Sequence, residues 1–181
     1  MMKRTTALFL ALLVVLLTSS ASANDQLFRA IKTGDSSMVA QLLAGGVDAN
    51  TADSTQTSAL MMASRDGFVG VVHALIAAGA NIKEVDANGW SSLMYAVRYG
   101  KTDIVRELLE AGADPNRTDD QGVSPLMYAT RDGHIEVVKL LLANKADPSL
   151  KNKRNQTAMV WAKRGGNDEI VELLKKAGAD D

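Results

Sequence analysis

The sequence predicts an all-α solenoid of five helix–turn–helix repeats with short turn or hairpin tips. Three observations predict it. Residues 86–118 and 119–151 superimpose without a gap, placing Gly89 over Gly122, Leu93 over Leu126, Met94 over Met127, Tyr95 over Tyr128, Arg98 over Arg131, Gly100 over Gly133 and Leu108 over Leu141. The pattern then steps by 33 residues in both directions, giving copies at about 24–52, 53–85, 86–118, 119–151 and 152–181. Within a copy, two short runs of apolar residues at helical spacing are each closed by glycine in nearly every case. Self-similarity of this length marks stacked units that bury their apolar faces only against their neighbours.

The first residues are of another kind. Lys3 and Arg4 open the chain, Ala7 to Leu17 is an uninterrupted apolar run, and Ala21-Ser22-Ala23 has the small-x-small form of a signal-peptidase site. That run of eleven is well short of the roughly 20 residues a spanning helix needs. The expectation is a cleaved signal peptide over 1–23 and a mature chain of 24–181 in the bacterial periplasm or secreted, with no membrane span after cleavage. The chain has no cysteine, so neither a disulfide framework nor thiolate chemistry is available. Without Lys3 and Arg4, 18 basic residues face 21 acidic ones. No basic excess remains to neutralise phosphates, which argues against a nucleic-acid partner.

The elements follow copy by copy. In the first, Leu27, Phe28, Ala30, Lys32 and Gly34 are followed by Val39, Leu42 and Gly46. In the second, Leu60, Met61, Ala63, Arg65 and Gly67 are followed by Val72, Leu75 and Gly79. The last copy carries Thr157, Met159, Ala162, Arg164 and Gly166, then Ile170, Leu174 and Gly178. Its atypical sequence, like that of the first, suits a capping repeat. Ser58, Ser91, Ser124 and Thr157 stand where each first helix needs an N-cap. Pro125 follows at a first helical position, where a missing amide costs nothing. Asp103, Glu136, Asp168 and Glu169 fall in first turns of second helices, where the helix dipole favours negative charge. The fourth copy has Lys145 where the others close on glycine. Local strain is expected there, eased by a shift of the bend onto Asn144.

These residues resemble the ankyrin repeat. The closest copy matches the family pattern at Asp119, Gly122, Ser124, Pro125, Leu126, Ala129, Gly133, His134, Val137, Val138, Leu140, Leu141, Leu142, Ala146 and Asp147. Gly112-Ala113-Asp114-Pro115-Asn116 is close to the family's ending, and the resemblance spans about 24–181. One departure is systematic. The family's helix-start histidine is replaced by Phe28, Met61, Met94, Met127 and Val160, so an apolar contact is expected in its place. The resemblance implies that the first helices line a concave face.

The sequence offers no catalytic constellation. Its two histidines, His73 and His134, have neither a nucleophile pattern nor metal-ligand spacing around them. Asp53, Asp86 and Asp119 are turn-formers that bond their own backbone. No catalytic residue, cofactor or metal is expected, and the chain is not expected to be an enzyme. The informative column is basic: Lys32, Arg65, Arg98, Arg131 and Arg164 recur once per copy near the end of each first helix. On a concave face they form a ladder able to grip carboxylates, while Asp66 and Asp132 beside two rungs allow a purely structural role. Three residues before each rung stand Met62, Tyr95, Tyr128 and Trp161, for which burial between repeats is favoured over cation–aromatic pairing. Trp90, at a turn tip, is the candidate apolar anchor, folding over its own turn being the alternative, and Tyr99 joins Arg65, Arg98, Arg131 and Arg164 as a partner-binding candidate. The last tip carries Lys151, Lys153 and Arg154, whereas earlier tips carry aspartates.

Two functional expectations follow. The first is a monomeric protein–protein interaction module of the periplasm, binding and protecting or assisting an envelope protein through its concave face and tips. The second is a binder of an anionic small molecule or polymer through the arginine ladder.

Overall fold

Each repeat closes two helices with local signals, and those helices can bury their apolar faces only on the next repeat. A computed structural model describes residues 23–179. Its helices are α1 (residues 23–33), α2 (Ser36–Ala44), α3 (Ala59–Asp66), α4 (Val69–Ala77) and α5 (Ser92–Arg98), then α6 (Thr102–Glu110), α7 (Pro125–Arg131), α8 (Ile135–Ala143), α9 (Ala158–Gly165) and α10 (Asp168–Lys176). Helices α3, α5, α7 and α9 stack in one row and α2, α4, α6, α8 and α10 in a second, with each first helix packed on the helix that follows it. This is the all-α solenoid the repeat predicts. The expected signal peptide lies, apart from Ala23, outside the described residues.

The helix starts behave as their sequences require. Ser58, Ser91 and Ser124 have extended backbone, and each hydroxyl accepts a bond from the amide of Met61, Met94 or Met127, all at 3.3 Å. Thr157 has the same backbone but makes no side-chain cap bond, which departs from the expectation. The methionines that replace the family histidine are buried. One does more than fill space: the Met61 sulfur accepts a weak bond from the Ser58 amide at 3.5 Å.

The core is one continuous stripe repeated by the array. Leu60, Leu93 and Leu126 from the first helices meet Val72, Val105 and Val138 and Leu75, Leu108 and Leu141 from the second, all buried. Each such leucine is worth about 1.5–3 kcal/mol when fully withdrawn from water. The array loosens at its first repeat, where Leu42, the counterpart of Leu75, is half-buried and Met38 is exposed. Two buried hydroxyls, Ser64 Oγ and Thr130 Oγ1, have no hydrogen-bond partner.

Two backbone positions show why residue choice matters between repeats. Gly100 has φ +63°, and a Cβ there would meet the His134 ring at 2.8 Å, so the link of one repeat is roofed by the next. Lys145 takes the left-handed conformation itself, with φ +65°. Asn144 stays at φ −99° and donates its amide to the Leu140 carbonyl at 2.9 Å. The expected shift of the bend onto Asn144 therefore does not occur, because the second helix already ends on that side-chain bond.

Candidate interaction surface

The surface is built up from the tips. Asp86 Oδ1 accepts from the amides of Asn88 (2.8 Å) and Trp90 (2.9 Å), and Asp119 Oδ1 does the same for Gln121 and Val123. Asp53 and Asn152 close the second and fifth tips in the same way. These are the turn-formers the sequence predicts. In repeats three and four the second carboxylate oxygen accepts from a tyrosine on the first helix, Tyr95 to Asp86 at 2.8 Å and Tyr128 to Asp119. Burial, and then the bond to Asp86, pushes the Tyr95 phenol up to about 12. Burial and the Asp119 bond push Tyr128 in the same direction. Each tip is thereby locked to its helix. In the fifth repeat the pair changes together to Asn152 and Trp161, and Trp161 Nε1 donates to Gln156 instead at 3.3 Å.

The basic column stands at the last turn of successive first helices, but the structure neutralises most of it internally. Arg65 holds both oxygens of Asp66, with Nε at 2.8 Å and Nη2 at 3.3 Å. Arg131 holds Asp132 in the same fashion, at 3.1 and 3.4 Å. Arg98 has Tyr99 after it and no aspartate of its own repeat to hold, and it reaches forward to Asp132 Oδ2 at 2.7 Å. Asp132 thus bridges two rungs. Burial pushes the Asp53 carboxyl up, but bonds from Thr55 and Thr57, with a smaller contribution from the Lys32 charge, hold it below its usual value. Arg164 pairs with no carboxylate among the described residues. Of the two roles the sequence leaves open for this column, these contacts supply the structural one for Arg65, Arg98 and Arg131.

Trp90, the candidate apolar anchor, folds over its tip rather than standing clear of it. It is half-buried and leans on two rings, Tyr95 of its own repeat (centroids 5.2 Å apart, tilted 54°) and Tyr128 of the next (4.8 Å, 51°). The physical reason is that a tip tryptophan beside the half-buried Tyr95 and the buried Tyr128 removes more apolar area from water by folding inward. The Arg131 guanidinium then lies between Tyr128 and Trp161, 4.8 and 5.5 Å from their centroids. The favoured burial of this column is seen for Tyr128, and the cation–aromatic pairing occurs there as well. Tyr99 is the ring left out, 52% exposed. Of the predicted residues, Trp90 and Arg131 both touch Tyr128, Arg98 and Arg131 share Asp132, and Arg131 and Arg164 line one cleft, while Tyr99 follows Arg98 in the chain and Arg65 stands one repeat earlier.

That cleft, of about 420 Å³, is lined by Arg131, Arg154, Gln156, Trp161, Arg164 and Gly165. Among the described residues three guanidinium groups and no carboxylate line it. On the second-helix side, His73 Nδ1 contacts Glu107 Oε1 at 2.9 Å across a wider groove between α4 and α6. His134 Nε2 lies 3.3 Å from the Arg98 carbonyl. Both histidines serve contacts between repeats. Among the described residues no group of three His, Cys, Asp or Glu side chains converges as metal ligands. No described helix is long and apolar enough to cross a membrane.

Sequence reasoning missed three participants. Asp132 was visible beside Arg131, but its bond to Arg98 follows only from the stacking of repeats. The Tyr95–Asp86 and Tyr128–Asp119 locks left a signal in the shared spacing of nine residues and in the joint change to Asn152 and Trp161. Gln156 carried no signal beyond standing where Trp90 does in its own repeat. Among known proteins, the family described as ankyrin repeats (3 copies) matches residues 27–119 and 114–181. No curated protein matches the chain.

Proposed function

The chain belongs to the ankyrin-repeat family, and from that premise we propose that it binds a protein partner across the first-helix face of repeats two to five. Ankyrin repeats are generic protein–protein interaction modules and typically non-enzymatic. The observation that carries the reading is one strip of side chains. Trp90, Tyr95, Tyr128, Arg131 and Trp161 form a row of four aromatic rings and one guanidinium group, each held by a neighbour, and the exposed Tyr99 ends the helix that carries Tyr95. Tryptophan, tyrosine and arginine are the residues on which interfaces concentrate their energy. A strip held this rigidly also loses little side-chain freedom when a partner docks.

In this reading the chain is exported by the segment before residue 24, acts as a monomer in the periplasm, and assists or protects a protein of the envelope without catalysing a reaction. Internal pairing of Arg65, Arg98 and Arg131 weighs against the whole ladder serving as a track for an anionic polymer. The test is a photo-cross-linking amino acid placed at Tyr99 or, as a control, at the exposed Arg106 on α6. In exporting cells the Tyr99 position should yield a discrete cross-linked protein and the Arg106 position none. Equal labelling from both positions, or none from either, would remove this face from the assignment. N-terminal sequencing of the exported protein should begin at Asn24.

A further inference from the structure

We infer that the cleft around Arg164 is a receptor for an acidic side chain of an extended protein segment, filling a carboxylate position that the inner rungs fill from within the chain. This deepens the proposed function and rests on it for the identity of the occupant as protein. The inner rungs supply the template. Arg65 is followed by Asp66 and Arg131 by Asp132, and each guanidinium grips that carboxylate through Nε and Nη2. Arg98 is followed by Tyr99 and borrows Asp132 from the next repeat. Among the described residues Arg164 has neither source. The residue after it is Gly165, and no described residue stands to it as Asp132 stands to Arg98.

The surroundings fit a carboxylate from outside. Arg154 comes down from the fifth tip and Arg131, itself paired with Asp132, flanks the opposite side, and among the described residues no carboxylate lines the cleft. Trp161 forms an apolar wall and is itself fixed by Arg131 and Gln156. A planar guanidinium beside an aromatic ring favours bidentate, end-on capture of a carboxylate over diffuse attraction. The space also suits a side chain with its flanking backbone.

The experiment follows the Trp161 indole Nε1–H signal, assigned with Trp161→Phe, in the ¹⁵N-labelled chain. The probes are an acetylated and amidated hexaglutamate peptide, its hexaglutamine counterpart, and tripolyphosphate. Hexaglutamate should shift the Trp161 signal, hexaglutamine should not, and Arg164→Gln should weaken the response by about tenfold or more, the loss expected for one charge-assisted pair. The sharper variant is Gly165→Asp, which supplies in cis the carboxylate that Asp66 and Asp132 supply elsewhere. Gly165 has open space around its Cβ position, so the fold should survive and hexaglutamate binding should fall, while Gly165→Asn should bind as the parent does. Equal binding of hexaglutamine, unchanged binding by Arg164→Gln and Gly165→Asp, or tighter binding of tripolyphosphate than of hexaglutamate would overturn the inference. If those variants bind hexaglutamate like the parent while cross-linking from Tyr99 persists, the carboxylate receptor falls and the protein-binding reading stands. If cross-linking from Tyr99 fails while Gly165→Asp abolishes peptide binding, the receptor stands and the wider reading falls.

Discussion

Replacing Thr130 with valine should stabilise the chain by about 1 kcal/mol, near the low end of the cost of a buried unbonded hydroxyl. Thr130 lies in the last turn of α7, is 2% exposed, and its Oγ1 has no partner. One period earlier the same position is Val97, fully buried in the equivalent helix, so the site accepts a valine without rearrangement. Threonine and valine have similar helix propensity, which leaves polarity as the main difference between them. For an array of this length, 1 kcal/mol corresponds to roughly 2–4 °C in melting temperature. Urea unfolding followed by circular dichroism should show a higher midpoint with an unchanged slope. A lower midpoint would mean that the hydroxyl is bonded in solution, most simply to the carbonyl of Leu126 four residues back. An unchanged midpoint would equally refute the claim that an unsatisfied group is buried here.

Lys145→Gly should raise the melting temperature by a few degrees, since a side chain at φ +65° costs roughly 1–2 kcal/mol; calorimetry showing no rise would mean that the strain is absorbed elsewhere. Gly100→Ala should destabilise by about 1 kcal/mol or more, because φ is +63° and the new methyl would press on His134; the check is the urea midpoint of the same variant in a His134→Ala background, where part of the loss should return. The Tyr95 phenol, raised to about 12, contributes stability that is fully present below the ordinary tyrosine value near 10 and is lost as pH rises through its folded value. Tyr128 acts in the same direction. The double variant Tyr95→Phe, Tyr128→Phe should therefore be less stable at pH 8 but lose less of its urea midpoint between pH 10 and 12 than the parent.

How much could be read without coordinates depended on whether a residue acts within its own repeat or across two. Ser58, Ser91 and Ser124 cap the helix they begin, and Asp53, Asp86 and Asp119 close the turn they occupy, so their roles follow from local sequence. The register of Leu93, Leu108 and their counterparts was equally legible, since helical spacing puts each on the apolar face of its own helix. Arg98 was not legible in this way. Its partner is 34 residues on, and nothing in the local sequence distinguishes a rung that borrows an aspartate from one that is open. Trp90 stayed undecided between anchor and turn cover for a related reason: its neighbours Tyr95 and Tyr128 belong to two repeats, and a tip position carries no periodic signal for burial.

The column that looks most like a binding device in the sequence is thus mostly a fastening device in the structure. An array held by nearest-neighbour contacts gains from any side chain that reaches the next unit, and Asp132 and His134 both do so beside Arg98. A repeated residue is therefore a poor guide to the partner, because its interactions are satisfied by its own copies. What remains for a partner is what repetition leaves incomplete: Tyr99, which stands where Asp66 and Asp132 stand and points no carboxylate at Arg98, and Gly165, which leaves Arg164 without one. Both gaps lie at the same position of alternate repeats, the residue after the rung. One gap exposes an aromatic ring and the other a guanidinium group, and a single extended segment crossing from the third repeat to the fifth would meet the two in turn.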